Sequence, residues 1–409
     1  CPFYFMASNW TERRVVITGL GVVTPLGSDL ETFWQNLLNG QCGIDKITAF
    51  DTTVFDTKIA GEIRNFEAGA AFPSSKDARR ADRYAQFGIY AGWLALKDSG
   101  ADLTKLNGDE IGVIIGSGIG GLDTTTAQHK ILLERGPGRL SPFMIPMLIS
   151  NMASGLFSMY HNLRGPNFAT CSACATANHA IGEAWHVIKM GEAQMMFAGG
   201  AEAAIVPIGI GGFCAMKAMS RRNDDPKTAS RPFDVDRDGF VMGEGAGVLV
   251  LEELEHAQKR GAKIYCEIVR YGNTADAYHL TSPAPEGEGA ARCMKMALRL
   301  GGLNTTDISY INAHGTSTPQ GDICETQAIK TVFGDHARRL ADRSGLRTHR
   351  SRHLPRLVLR LGRRGRRGLD DAAVRRDLWH LRLFDGAADR EPRRLAPWPA
   401  DHGTGDGPH

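Results

Sequence analysis

The chain has 409 residues, 42% of them hydrophobic, so it can bury one large core or two smaller ones. No unbroken apolar run reaches the about 18 residues that a membrane span needs, so we expect no membrane association. The net charge is only +3, and the eight cysteines have no framework spacing, which excludes a disulfide-stapled secreted domain and predicts a cytoplasmic protein with free thiols.

The two ends of the chain differ from its body. Residues 1–5 precede Met6, which has the character of a natural start, and no signal peptide follows, so we expect 1–12 to be an extension. Residues 336–409 contain 18 Arg and no Lys against 9 acidic residues, whereas residues 1–335 are net acidic. This tail is either a basic arm for nucleic acid or a segment that is out of frame or disordered; we favour the second interpretation and expect no nucleic-acid partner.

Between these ends, strand and helix patterns alternate. Short apolar or β-branched runs predict strands, and apolar residues at three-to-four spacing predict helices. Such alternation is typical of an α/β protein whose helices pack on parallel sheets. In chain order the predicted elements are strand 15–17, helix 30–38, helix 85–96, strand 112–115, helix 177–188, strand 195–198, strand 248–251, helix 289–300, strand 308–311 and helix 325–333.

Cys174 lies where a predicted strand end gives way to a helix whose first turns are mostly Ala, Thr and Asn. Small residues there allow the helix start to approach neighbouring backbone closely. The positive end of the helix dipole favours a thiolate, and the unpaired N–H groups can hold an oxyanion. These two features are what acyl transfer needs. His179 lies on the same helix but about 140° around its axis from Cys174, so we interpret it as structural.

The same segment permits other interpretations. Cys171 and Cys174 form a C-x-x-C pattern, which can mark a redox pair or half of a zinc site. A second such pair, or a Cys/His pair at ligand spacing, is absent from the sequence, so we predict neither a metal site nor redox chemistry. A structural, unreactive cysteine stays open from this segment alone.

Two glycine-rich stretches resemble phosphate-binding loops. Residues 116–121 fit G-x-G-x-x-G after a strand, the dinucleotide fingerprint. Because residues 122–126 do not predict a helix of the required type, we expect no dinucleotide there. Residues 243–247 lead into a strand rather than a helix, so they are not predicted to bind phosphate either.

Six longer segments carry distinctive patterns: 163–166, 173–182, 198–202, 230–234, 237–247 and 312–322 (Asn-Ala-His-Gly-Thr-Ser-Thr-Pro-Gln-Gly-Asp). In this order they resemble the type II β-ketoacyl-acyl-carrier-protein synthases, over about four-fifths of the chain. The resemblance implies a thiolase-like α/β fold in which two similar halves form five layers. We expect the first half at 13–265 and an incomplete second half at 266–335, usually in a homodimer.

The resemblance also implies a reaction. Cys174 would accept an acyl group from acyl carrier protein, malonyl carrier protein would lose CO₂, and its enolate would attack the Cys174 thioester. His314 matches the family's first catalytic histidine, and an imidazole held neutral there can donate a hydrogen bond to a thioester oxygen. Ile119 would line the acyl pocket, and Thr316 and Thr318 would bind the phosphopantetheine arm. No cofactor is implied beyond the phosphopantetheine that carries the substrates.

Acyl carrier protein is acidic, so a basic docking surface is expected. Lys76, Arg79 and Arg80 match the family's basic patch by position, and Arg222 is a fourth candidate. A solvated helix face is the alternative interpretation of these charges.

The sequence departs from the family after residue 335. The family's Lys-Ser-x-x-Gly-His segment, with its second histidine, and its Gly-Phe-Gly-Gly gating loop are absent, and the flanks of His349 and His353 match neither. Because triad members act as a unit, we expect Cys174 to be acylated but decarboxylation and condensation to be impaired. The alternatives are a non-catalytic ketosynthase-like subunit, which the retained Cys174 disfavours, and a coenzyme A thiolase, which the 312–322 motif disfavours.

Overall fold

The computed structural model describes residues 13–342 of the chain. The predicted extension 1–12, the tail from residue 343 onward, and His349 and His353 lie outside the described residues. In the described part the strands are β1 (Val15–Val23), β2 (Asp45–Lys46), β3 (Ile59–Ala60), β4 (Ile111–Gly116), β5 (Asn167–Phe168), β6 (Met195–Glu202), β7 (Gly245–Glu253), β8 (Cys266–Ile268), β9 (Tyr310–Ile311) and β10 (Ala341–Asp342).

The α-helices alternate with these strands along much of the chain. In the described residues they are α1 (Leu30–Leu38), α2 (Ser75–Ala78), α3 (Arg83–Ser99), α4 (Leu122–Arg135), α5 (Met144–Leu148), α6 (Met152–His161), α7 (Thr176–Met190), α8 (Pro207–Ala215), α9 (Leu254–Lys259), α10 (Glu288–Gly301) and α11 (Pro319–Phe333).

A six-stranded sheet with the order β5-β4-β6-β7-β1-β8 organises the first half. The pairs β4–β5 and β4–β6 are parallel, but β6–β7, β7–β1 and β1–β8 are antiparallel. The expectation of parallel sheets is therefore wrong for three of the five strand pairs in this sheet. The reason is that Glu202, the last residue of β6, pairs with Gly245, the first residue of β7. The connection between them returns to the end of the sheet from which it left, so β7 runs antiparallel to β6.

Helices cover both faces of the sheet, and alternate residues of each strand supply the two cores. On one face α3 and α6 pack on Val113 and Phe197; on the other, α7 packs on Ile114 and Met196. All four strand side chains are fully buried. Burial of side chains of this size contributes roughly 1.5–3 kcal/mol each, so these two layers hold the sheet ends in place.

The predicted helix at 85–96 is confirmed, and its ends follow from the sequence. Asp82 caps α3 by accepting a hydrogen bond from the Tyr84 N–H. Gly100 ends it in the left-handed region, at φ 61°, and Gly191 ends α7 in the same way at φ 82°. Both glycines are the stop signals that the sequence carries.

The second half is smaller in the described residues. The helices α10 and α11 pack beside the parallel pair β9–β10, around a cluster that contains Ile329, Phe333 and Leu340. Residues 336–342 were assigned to the anomalous tail, but they are folded here: His336 Nε2 lies 2.8 Å from the Ile308 carbonyl oxygen. The predicted boundary at 336 thus falls inside the folded part, and β8, expected to open the second half, pairs with β1 of the first sheet.

Candidate active site

Cys174 lies on a tight turn that leads from β5 into α7. Residues Ala173–Ala175 form a short 3₁₀ turn, and Ala173 adopts φ 48°, in the left-handed region that non-glycine residues rarely occupy. The turn leaves the Cys174 side chain exposed at the start of the helix. The prediction that this cysteine begins a helix is confirmed.

Small residues bring the start of α7 close to the strand ends, as the sequence predicts. A Cβ at Gly116 would lie 2.4 Å from Thr176 Cγ2, and one at Gly200 would lie 2.9 Å from Ala177 Cβ. The N-cap residue Ala175 offers no side-chain acceptor to the first turn. The N–H groups of the first helical turn, where the helix dipole is positive, therefore face the Cys174 turn.

Cys174 and His314 belong to different halves of the fold, yet each shifts the pKa of the other. A hydrogen-bonding interaction with His314 is the largest cause of a Cys174 pKa below that of an ordinary thiol; burial opposes it and the histidine charge adds to it. The same interaction raises the pKa of His314 above its usual value, against the effect of burial. Both shifts are in the directions that favour a thiolate beside a protonated imidazole.

A glutamate that the sequence analysis did not single out holds the His314 loop. The Glu325 carboxylate, on α11, accepts hydrogen bonds from the N–H groups of His314 (2.7 Å) and Gly315 (2.8 Å). The loop begins at the carboxyl end of β9 and closes at the start of α11. The sequence offers no signal for this role, because an acidic residue on a helix face is usually solvated.

The rest of this loop is fixed by a second buried carboxylate. Ser317 is fully buried with φ 68°, and its N–H donates to Asp322 Oδ1 at 3.1 Å. The other oxygen of Asp322 accepts from the Phe233 N–H at 2.7 Å and lies 3.5 Å from Arg237 Nε. These contacts join the 230–247 segment to the 312–322 segment, two of the motifs that carry the family resemblance.

The predicted substrate-binding residues lie on the two loops that flank the pair. Thr316 and Thr318 are half-buried on the His314 loop, and their hydroxyls share a hydrogen bond of 2.9 Å. Ile119 is 42% exposed on the Gly116–Gly121 loop. That loop lies against the nucleophile turn, since Cys171 Sγ donates to the Gly118 carbonyl at 3.4 Å.

The expectation that no helix follows this glycine-rich loop is wrong, because α4 begins at Leu122. Its threonine-rich first turn is held by Asp82, whose Oδ2 accepts hydrogen bonds from the Thr124 N–H (3.1 Å) and hydroxyl (2.6 Å). A dinucleotide phosphate would need the backbone N–H groups of this loop as hydrogen-bond donors. The Gly118 N–H already donates to the Glu202 carboxylate, which disfavours a phosphate at this position.

His179 supports the turn from the other side. Its Nδ1 shares a hydrogen bond of 2.5 Å with Ser172 Oγ, and its ring meets the Tyr271 ring edge-on with centroids 6.2 Å apart. These contacts agree with its interpretation as a structural residue.

The candidate docking residues are of two kinds. Lys76 and Arg79 are exposed at α2, and Arg80 stacks its guanidinium 4.3 Å from the centre of the Phe143 ring. Arg222, on a distant segment of the sequence, donates to the Asp236 carbonyl at 2.7 Å and lies 3.9 Å from Asp238 Oδ1. Lys76, Arg79 and Arg80 are neighbours in the sequence and form one basic cluster. Arg222 instead contacts Asp236 and Asp238 in its own segment.

Within residues 13–342, no three His, Cys, Asp or Glu side chains are grouped so that they could hold a metal ion. Over the same residues, none of the helices is both long enough and apolar enough to span a bilayer.

The fold and the site together define an α/β protein that presents a cysteine of lowered thiol pKa at the start of a helix, beside a histidine, as acyl-transfer enzymes do. Comparison with known proteins identifies the family to which this acyl-transfer site belongs. The N-terminal domain of β-ketoacyl synthases matches residues 12–257 and their C-terminal domain matches residues 265–349. The chain belongs to the β-ketoacyl synthase family.

Individual relatives support the same assignment. The chain is 51% identical to 3-oxoacyl-(acyl-carrier-protein) synthase 2 of Synechocystis sp., over 82% of this chain and 80% of that relative. A β-ketoacyl synthase from Burkholderia phymatum matches with a TM-score of 0.73 and 37% identity, over 79% of each chain. The ketosynthase of a type II polyketide synthase, in complex with its acyl-carrier protein and bound to the hexaketide, matches with a TM-score of 0.72 and 32% identity, over 81% of this chain and 80% of that one. The predicted family and thiolase-like fold are confirmed.

Proposed function

We propose that this chain takes an acyl group from acyl carrier protein onto Cys174, as the first half of a decarboxylative condensation that forms a 3-oxoacyl-acyl-carrier-protein in fatty-acid synthesis. The observation that carries the proposal is the exposed position of Cys174 on the turn before α7, where His314 lowers its thiol pKa. The 51% identity to a 3-oxoacyl-(acyl-carrier-protein) synthase supports the choice of reaction.

In the first step the Cys174 thiolate attacks the carbonyl carbon of the acyl thioester. A new carbon–sulfur bond forms to Cys174, and the bond to the phosphopantetheine sulfur breaks, so that sulfur leaves as the thiol of the carrier. The lowered pKa of Cys174 supplies the thiolate. The N–H groups at the start of α7 can stabilise the oxygen that becomes negative in the transition state.

Acylation changes the state of His314. The thiolate is the largest influence that raises the His314 pKa, and once the sulfur carries an acyl group its charge is gone. Burial then lowers the His314 pKa, which favours the neutral imidazole. A neutral imidazole can donate one hydrogen bond to the malonyl thioester oxygen as the enolate forms.

In the second step the malonyl thioester loses CO₂, and its enolate attacks the acyl carbonyl, which forms the carbon–carbon bond. The carbon–sulfur bond to Cys174 then breaks and the thiolate is regenerated. In the printed sequence the family's second histidine segment and gating loop have no counterpart. We therefore expect this step to be slow in this chain, because catalytic groups that act together lose most of their effect when one is missing.

The proposed partner is acyl carrier protein, held by Lys76, Arg79 and Arg80. A similar ketosynthase has been solved in complex with its acyl-carrier protein, which supports this choice. We also propose a cytoplasmic homodimer, since β5 is an edge strand of the six-stranded sheet and its Phe168 is 39% exposed. Light scattering after size exclusion tests the dimer, and a monomer at micromolar concentration contradicts it.

The experiment for the function separates the two steps. The full chain is incubated with octanoyl carrier protein and malonyl carrier protein, and three quantities are measured: the acyl group on Cys174, the CO₂ released, and the 3-oxoacyl product. Acylation above the level of a Cys174→Ser control is expected, with CO₂ release at least about a hundredfold slower than that of the Synechocystis relative. No acylation above the control would refute the proposal, and CO₂ release at the relative's rate would refute the reasoning on the second histidine.

A further inference from the structure

Glu202 is a carboxylate beside the nucleophile that the reaction above does not use. It is the last residue of β6 and is half-buried. Its Oε1 accepts a hydrogen bond from Ser117 Oγ at 3.1 Å, and its Oε2 accepts one from the Gly118 N–H at 2.9 Å. Burial raises the pKa of the Glu202 carboxyl, and the hydrogen bonds that it accepts oppose this shift.

These contacts organise the whole Gly116–Gly121 loop around one anion. Ser117 is fully buried, and its hydroxyl also accepts the Gly120 N–H at 3.0 Å, which closes the loop upon itself. A Cβ at Gly118 would lie only 2.9 Å from Glu202 Oε2, so glycine is needed for the carboxylate to come this close. The Glu202 carboxylate thus helps to hold the loop that carries Ile119.

The loop in turn abuts the nucleophile turn. The Gly118 carbonyl accepts from Cys171 Sγ, and the Gly118 Cβ position lies 3.5 Å from Ala173 Cα. Ala173 immediately precedes Cys174. A displacement of the loop therefore moves the surface on which an acyl chain bound to Cys174 would lie.

We propose that Glu202 is a positioning residue for acyl transfer: its carboxylate acts as a fixed internal anion that holds the Ile119 loop against the Cys174 turn. The inference rests on the function proposed above, because it assigns the loop to the acyl chain. Glu202 touches no reacting atom and acts through Ser117, Gly118 and Ile119.

The carboxylate has a second effect, through its charge. The charged groups that act on the Cys174 sulfur are His314, which lowers the thiol pKa, and Glu202, which raises it. Replacing Glu202 by glutamine keeps the shape, removes the charge, and turns an N–H donor toward N–H groups that need an acceptor. Replacing it by aspartate keeps the charge but shortens the reach.

The two variants separate these effects. In Glu202→Gln we expect the pH profile of Cys174 alkylation by iodoacetamide, followed by tandem mass spectrometry to exclude Cys171, to move to lower pH. The rate of Cys174 acylation by a long-chain acyl carrier protein should fall roughly tenfold, since a hydrogen bond to the carboxylate is lost. Glu202→Asp should retain the alkylation profile but still acylate slowly. A side chain with a merely structural role would not give opposite changes in the two rates.

The matched control is Glu192→Gln, which removes the same charge from an exposed position beyond the far end of α7. It should leave both rates unchanged. The proposal is overturned if Glu202→Gln acylates at the wild-type rate, or if its alkylation profile stays in place or moves to higher pH. If the alkylation profile moves as expected but the wild-type chain is never acylated, it is the proposed function that fails, and the effect of the Glu202 charge stands.

Discussion

Replacing His314 by alanine tests how Cys174 is activated. The variant removes the hydrogen bond and the positive charge that lower the Cys174 pKa, so the thiol should ionise at higher pH. A hydrogen bond to a charged group is worth about 1.5–3 kcal/mol. Because both side chains are exposed, solvent screening places the expected loss near the lower end, about 1.5 kcal/mol, which is roughly a tenfold loss of thiolate at neutral pH.

The assay is the rate at which iodoacetamide alkylates Cys174 between about pH 5 and pH 10, roughly the range over which perturbed thiols titrate. The modified peptide is quantified by mass spectrometry. We expect His314→Ala to react about tenfold more slowly at neutral pH, and the two proteins to converge at a pH above both thiol pKa values. The control is His186→Ala, a half-buried histidine of α7 that lies beside Glu183. An unchanged pH profile in His314→Ala, or an equal effect in the control, would refute the activation by His314.

Three further predictions concern the site and its frame. Alkylation of Cys174 should lower the His314 pKa, because the thiolate that raises it is removed; an NMR titration of the His314 ring before and after alkylation measures this, and an unchanged or higher value contradicts it. Gly199→Ala should destabilise the fold by at least about 1–3 kcal/mol in urea unfolding, since its Cβ would lie 1.9 Å from the Gly247 carbonyl oxygen, whereas Gly69→Ala, with open space around it, should be nearly neutral; equal midpoints would contradict this. Charge reversal of Lys76, Arg79 and Arg80 together should raise the KM for acyl carrier protein at low salt without changing the rate of Cys174 alkylation; an unchanged KM would contradict docking at this cluster.

The long elements were predictable from the sequence because their periodicity reports burial directly. The pattern at 30–38 gives the bounds of α1, and those at 85–96 and 177–188 identify α3 and α7 to within a few residues. The direction of β7 was not predictable, because pairing depends on where the long connection from β6 returns. The helix after Gly121 was missed because threonine is a weak helix former, and the contact of Asp82 with the first-turn residue Thr124 is visible only in three dimensions.

The site was predictable where chemistry and local structure coincide. The role of Cys174 could be predicted from the small residues at a helix start, and that of His314 from the family motif. The positions of the two residues in the sequence do not show that their side chains influence each other. Glu202 and Glu325 were not singled out, because an acidic residue at a strand end or on a helix face is usually solvated. Their roles come from backbone N–H groups that the fold turns toward them.

The measurement that tests the central claim most directly is the intact mass of the protein after brief incubation with an acyl carrier protein bearing an octanoyl chain. We predict a mass increase equal to one octanoyl group, located on Cys174, removed by hydroxylamine and absent in Cys174→Ser. A protein whose mass does not change, or whose acyl group lies on another residue and persists in the serine variant, would contradict the assignment of Cys174 as the acyl acceptor.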